Sequence, residues 1–128
     1  MKQKYIIGDI FMVDNQPRKV IWIGSSFPRV EIDGVNVACK NSDLKPIPLT
    51  PEILEKNGWE FTERHIDEDG FEWHVFSKDG IFTDLYYYPD NEDFSVFICG
   101  EETLPNMKYI HQLQHLLFGL GLNSEMEV

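Results

Sequence analysis

The sequence predicts an α+β fold: a small N-terminal SH3-like β-barrel, then an antiparallel β-meander packed against a C-terminal helix. Three observations predict it. Short alternating apolar runs are separated by turn residues along most of the chain. Near the end, Ile110, Leu113, Leu117 and Leu120 recur at i, i+3, i+7 and i+10, the spacing of one helix face. Around Pro46 and Pro48 the charge balance changes, which marks a boundary. Residues 1–48 are expected to form the barrel-like segment, and residues 49–128 a helix, a four-stranded antiparallel sheet and a second helix.

The first segment reads as strands over 8–13, 19–24, 29–32 and 35–39, with a last one near "LKPIP". Asp33-Gly34 between two β-branched runs is a two-residue hairpin signal. In "LTPEILEKNGW", Thr50 is the N-cap, Pro51 takes the first helical position, and Glu52 faces the positive end of the helix dipole. Gly58 ends that helix in the left-handed conformation. Strands follow over 59–66, 71–77, 81–88 and 94–100, joined by the turns "DEDG", "KDG" and "PDNED".

Alternation puts Phe71, Trp73 and Val75 on one face of this meander and Glu72, His74 and Phe76 on the other. Both faces carry apolar residues, so both need a cover. The final helix, about 107–120, is expected over one of them. The short helix, the barrel or a second copy of the chain would take the other, which leaves room for a homo-oligomer. "NSEMEV" is expected to fray.

Composition bounds the function. With 128 residues, 42% of them apolar and 13% aromatic, the chain is one domain or two very small ones. No stretch approaches the ~20 apolar residues of a membrane span, and the first residues lack a signal-peptide pattern. The expectation is a cytoplasmic protein with no membrane partner. Through Leu49 there are seven Lys/Arg against five Asp/Glu, a balance of +2; from Thr50 onward, four stand against seventeen, a balance of −13. So acidic a C-terminal part repels phosphate backbones, which disfavours nucleic acid there. Cys39 and Cys99 lie far apart in strand-like runs and read as buried free thiols.

His111 and His115 are one turn apart, a spacing that can chelate zinc. The residue after the first histidine is Gln112, which cannot act as a base, and no third ligand is evident. His111 is therefore expected to pack on the sheet and His115 to be solvated. Asp67–Gly70 and Asp90–Asp93 resemble calcium loops only briefly and read as hairpin turns. No phosphate loop, nucleophile elbow or cysteine–histidine pair occurs, so no catalytic residue, cofactor or metal is assigned. The run "DLYYYPD" and the tryptophans supply material for an aromatic binding face, with Tyr86 and Tyr88 as candidates.

Three stretches, "IGDIFMVDN", "LKPIPLTPEILEKNGWE" and "MKYIHQLQHLLFGLG", together resemble a family of small proteins of prophages, conjugative elements and gut anaerobes that has no assigned activity. Trp59 stands where that family has Phe, and His115 where it commonly has Asn. His111, Gln112 and Gln114 match its terminal motif and join the binding candidates. The resemblance implies a phage or mobile-element setting and brings no reaction or cofactor. The function expected is that of a non-enzymatic accessory protein with an unidentified protein partner. One alternative is an acidic nucleic-acid mimic that fills the basic groove of a host nuclease; another is nucleic-acid binding through the N-terminal barrel.

Overall fold

The structure, a computed structural model, describes residues 6–23 and 28–128. The chain divides into two compact units. The first joins the segment ending at Pro48 to Tyr109–Met126 and Val128; the second is Leu49–Lys108 with Glu127. The final helix groups with the segment that ends at Pro48. This division sharpens the charge asymmetry: seven Lys/Arg against six Asp/Glu in the first unit, four against sixteen in the second.

In the first unit, β1 (Ile10–Val13), β2 (Gln16–Ile23), β3 (Pro28–Ile32) and β4 (Val35–Ala38) pair in sequence order as an antiparallel sheet. Gly24, expected at the end of the second strand, lies outside the described residues. Two-residue loops join β1 to β2 and β3 to β4. Asp14, Asn15, Asp33 and Gly34 all have positive φ (50°, 63°, 50° and 80°), as the primed hairpin turns require. Phe11, Val13, Val20, Val30 and Leu44 form the core, with Ile32 and Cys39 at its margin.

Among the described residues this sheet does not close into a barrel. Its strand order runs from β1 to β4 without a return, and β4 is short and largely exposed. The segment expected to supply the closing strand makes only isolated bridges, Met12 to Lys45, with N–H···O distances of 2.9 and 3.0 Å, and Pro48 to Tyr109. Pro46 and Pro48 lack the N–H groups that would extend it.

The helix α1 (Pro51–Lys56) of the second unit is built as its sequence dictates. Ile53 N–H donates to Thr50 Oγ1 at the N-cap. At the other end Gly58 has φ +88°, and the amides of Gly58 and Trp59 return to the carbonyls of Glu55 and Leu54. Leu54 and Trp59 are buried.

Five strands follow where four were expected: β5 (Glu60–Ile66), β6 (Glu72–Ser77), β7 (Thr83–Tyr88), β8 (Asp93–Ile98) and β9 (Glu101–Met107), paired in that order. The additional β9 is an edge strand, exposed except at Met107, and it tolerates Pro105 for that reason. Cys99 and Gly100 form its hairpin turn, with φ of 53° and 82°, so Cys99 is an exposed turn residue and not a buried strand thiol. The third meander strand begins at Thr83, leaving Phe82 in the loop at 90% exposure.

The second helix, α2 (Ile110–Gly119), buries Ile110, Leu113, Gln114 and Leu117 and packs against β1 of its own unit. Its apolar stripe was expected to lie over the meander; within its own unit the helix lies on β1. The stripe in the sequence shows that one face is apolar but not what covers it. Nor does the tail fray: within the first unit Met126 is buried, and within the second Glu127 exchanges two backbone hydrogen bonds with the Asn57 amide, at 2.7 and 2.8 Å.

Phe94 is fully buried, packed between Tyr87 and the opposing Met107. Phe94→Ala is expected to destabilise the second unit by about 3–5 kcal/mol, read as a lowered midpoint in chemical denaturation.

Candidate functional site

The terminal motif residues hold the first unit together. Gln114 is fully buried and saturates its amide: Oε1 accepts from Ile10 N–H at 2.9 Å, and Nε2 donates to the carbonyls of Gly8 (2.8 Å) and Ser124 (3.1 Å). One side chain thereby ties α2 to the entry of β1 and to the C-terminal tail. Gln112 folds back so that Oε1 accepts from Tyr109 N–H at 2.9 Å, which satisfies a free donor at the helix start. Both glutamines give their Oε1 to backbone amides.

His111 stacks on Phe11 of β1 with ring centroids 4.8 Å apart, and on Tyr109 at 5.9 Å. Its Nδ1 is buried with no hydrogen-bond partner. Burial, with a smaller push from nearby His115, lowers its pKa to about 4, so the ring is neutral at pH 7. His115, expected in solvent, is instead only 31% exposed, and its Nε2 lies 2.6 Å from Asp9 Oδ2. Asp9 is completely buried; desolvation raises its pKa against the lowering effects of the Ile6 amide and His115. Asp9 carries no motif chemistry of its own, so only its place in "IGD" beside the first strand pointed to it. Among the described residues, no group of three or more His, Cys, Asp or Glu is placed to hold a metal ion.

The second candidate region is the five-stranded sheet. Opposed residues in an antiparallel pair share a face, so the register sorts every side chain. Phe61, Phe76, Leu85, Phe94, Val96 and Met107 lie on one face, and all but Phe61 are buried. Tyr87 belongs to this side; burial raises its pKa, with Glu92 and then Glu52 of α1 adding to the effect.

The other face carries Trp73, Tyr86, Tyr88 and Phe97 beside His65 and Val75. The rings touch. Tyr86 stacks on Phe97 with centroids 4.0 Å apart, His65 stacks on Trp73 at 5.1 Å, and Phe71 joins Trp73 (6.0 Å) to Tyr88 (5.5 Å). Phe71 is 39% exposed, and Trp73, Tyr86, Tyr88 and Phe97 are half-buried. Rings of this kind sealed in a core would be buried as fully as Phe76 and Phe94 on the opposite face.

The structure thus brings Tyr86 and Tyr88 into one aromatic surface, in a different unit from His111, Gln112 and Gln114. Trp73, one of the tryptophans the sequence offers for such a face, belongs with the tyrosines, as does Phe97, which the sequence did not single out; combining strand alternation with the pairing register finds it. Trp59 is buried at the end of α1, away from any such role, and the side chain of Trp22 lies outside the described residues. Cys39 is half-buried; its thiol pKa is raised by burial and by Asp43, which disfavours the reactive thiolate. No helix among the described residues is long and apolar enough to cross a membrane. No family model, curated protein or solved structure matches the chain.

Two predictions follow from the first unit. Gln114→Ala strands the Ile10 amide and two carbonyls, and is expected to cost roughly 3 kcal/mol, since an unsatisfied buried group costs about 1–3 kcal/mol; thermal unfolding checks it. His111 is depressed in the folded state to about 4 from 6.5. Its contribution is therefore complete above pH 6.5 and is lost as pH falls through 4, on the order of 2 kcal/mol. Raised Asp9 works in the opposite sense, because acid relieves its buried charge. His111→Phe keeps the stack and is expected to lose less stability than the parent between pH 7 and pH 4, as measured by denaturation at each pH.

Proposed function

We propose that the protein is a non-enzymatic interaction module that docks a protein partner on the aromatic face of its five-stranded sheet. One observation carries the reading: partly exposed rings crowd one face of the sheet in two contacting groups, Tyr86 with Phe97 and Phe71 with Trp73 and Tyr88. Aromatic side chains with one wet side are the residues that anchor protein interfaces. The first unit serves as a support, braced by Gln114. An SH3-like origin for that unit belongs to the proposal and draws on its four-strand meander and the Met12–Lys45 bridge. The resemblance of three sequence stretches suggests a phage or mobile-element setting, and a cytoplasmic location, expected from composition, belongs to the same proposal.

Charge favours a second reading. With sixteen acids against four Lys/Arg, the second unit has the electrostatics of a nucleic-acid mimic directed at a basic groove. Nucleic-acid binding by the first unit has weaker support, because its seven basic residues are matched by six acidic ones.

The test is a photo-crosslinking amino acid placed at Tyr86, with the exposed Phe118 of α2 as the control position, in nuclease-treated host lysate. The expected outcome is a discrete adduct with a single protein at Tyr86, absent at Phe118 and lost on Trp73→Ala. Equal labelling at both positions, or none at Tyr86, contradicts the docking reading. An adduct identified as a nuclease and displaced by DNA would favour the mimic.

A further inference from the structure

The aromatic face has an electrostatic sign that its composition hides. Register assigns Glu60 opposite Ser77, Glu63 opposite Val75, Asp84 opposite Phe97, and Phe97 opposite Glu102. All of these residues therefore share the face of Trp73, Tyr86 and Tyr88. Glu60, Glu63 and Glu102 are exposed and Asp84 is half-buried. No Lys or Arg occupies that face in any strand pair; Arg64, the one arginine of the sheet, falls opposite His74 on the other side. The carboxylates also lie close to the rings: Asp84 and Glu63 both act on the Tyr86 phenol, adding to the rise in pKa that burial causes.

Flat π-faces flanked by carboxylates, where the strand pairs supply no Lys or Arg and the one basic neighbour is His65, its Nε2 2.6 Å from Glu63 Oε2, suit one side chain above others. A guanidinium stacks on an aromatic ring and at the same time donates a planar fork to a carboxylate. The sheet already uses the guanidinium fork on its other side, where Arg64 donates to both oxygens of Glu72, from Nε at 2.9 Å and from an Nη at 3.2 Å. Arg64, and then His74, hold the Glu72 carboxyl at about 2.

Resting on the docking reading above, we propose that the partner presents an arginine-rich segment to this face. Its guanidinium groups lie on Trp73, Tyr86 and Phe97 and pair with Glu63, Asp84 and Glu102. The long-range field of the second unit steers the encounter, and the rings discriminate arginine from lysine.

Calorimetric titration of the full chain with a short alternating arginine–glycine peptide tests this, against peptides carrying lysine or citrulline in place of arginine. The arginine peptide is expected to bind, with affinity falling as salt rises. The lysine peptide should bind about fivefold more weakly, and the citrulline peptide should give no measurable heat. The triple variant Glu63→Gln, Asp84→Asn, Glu102→Gln keeps shape and hydrogen-bonding capacity, and should weaken arginine binding roughly tenfold or more. Trp73→Leu should weaken it about fivefold, with circular dichroism confirming the fold. Equal binding of arginine and lysine peptides, binding of citrulline as tight as that of arginine, or indifference to both variants overturns the proposal. Failure of the arginine peptide while the Tyr86 crosslink persists rejects the basic partner and leaves the docking face standing. Loss of the crosslink itself rejects the face.

Discussion

With His74 opposite Tyr87 and Val75 opposite Tyr86, the β6–β7 register decides what each face of the second unit becomes. A slip of one residue would carry Phe76 and Leu85, both buried, to the surface and drive the tyrosines and carboxylates of the other face inward. The fully buried Phe76, Leu85, Phe94 and Val96 penalise that slip heavily, so the register is strongly specified. Thr62 is accommodated as a bulge between Phe61 and Glu63, which keeps Phe61 with the buried set while Glu63 returns to the opposite face. The composition of the open face is therefore a consequence of the core on the closed one.

The first unit relies on a different device. Its strands contribute few large buried side chains beyond Phe11, and connections distant in sequence come through polar groups with no water to compete. Gln114 reaches across 104 and 106 residues to the amide of Ile10 and the carbonyl of Gly8, and His115 spans a further 106 to Asp9. Buried amides of this kind are costly when half satisfied and directional when complete. Gln114 of the terminal motif has this bracing role.

Local chemistry was legible in the sequence wherever a single turn decides the structure. Thr50, Pro51 and Gly58 mark both ends of α1, and Asp33-Gly34 marks its hairpin, because caps and primed turns depend on adjacent residues. The two tyrosines were legible as candidates for an aromatic face, and the register puts them on one. The strand β9 was not: "EETLPNM" is acidic, holds Pro105 and contains irregular register, and its turn uses Cys99, a residue type seldom found at positive φ. The partner of α2 was illegible for another reason. An apolar stripe on a helix records that something covers it, and the choice of β1 was made by Gln114, whose three partners are backbone groups with no sequence signature. Likewise the open first sheet follows from missing proline amides and a short β4, which composition alone does not distinguish from a closed barrel.

The central claim is that the face bearing Trp73, Tyr86, Tyr88 and Phe97 is open to solvent and available to a partner. Hydroxyl-radical footprinting of the intact chain over a range of protein concentrations measures this directly, with Trp59, Phe76 and Phe94 as internal buried references. The account predicts that Trp73, Tyr86 and Phe97 are oxidised well ahead of the three references at every concentration. Protection of those rings to the level of Trp59 at low concentration would show that the chain covers its own aromatic face, and protection that grows with concentration would assign the face to a second copy; either result contradicts the account.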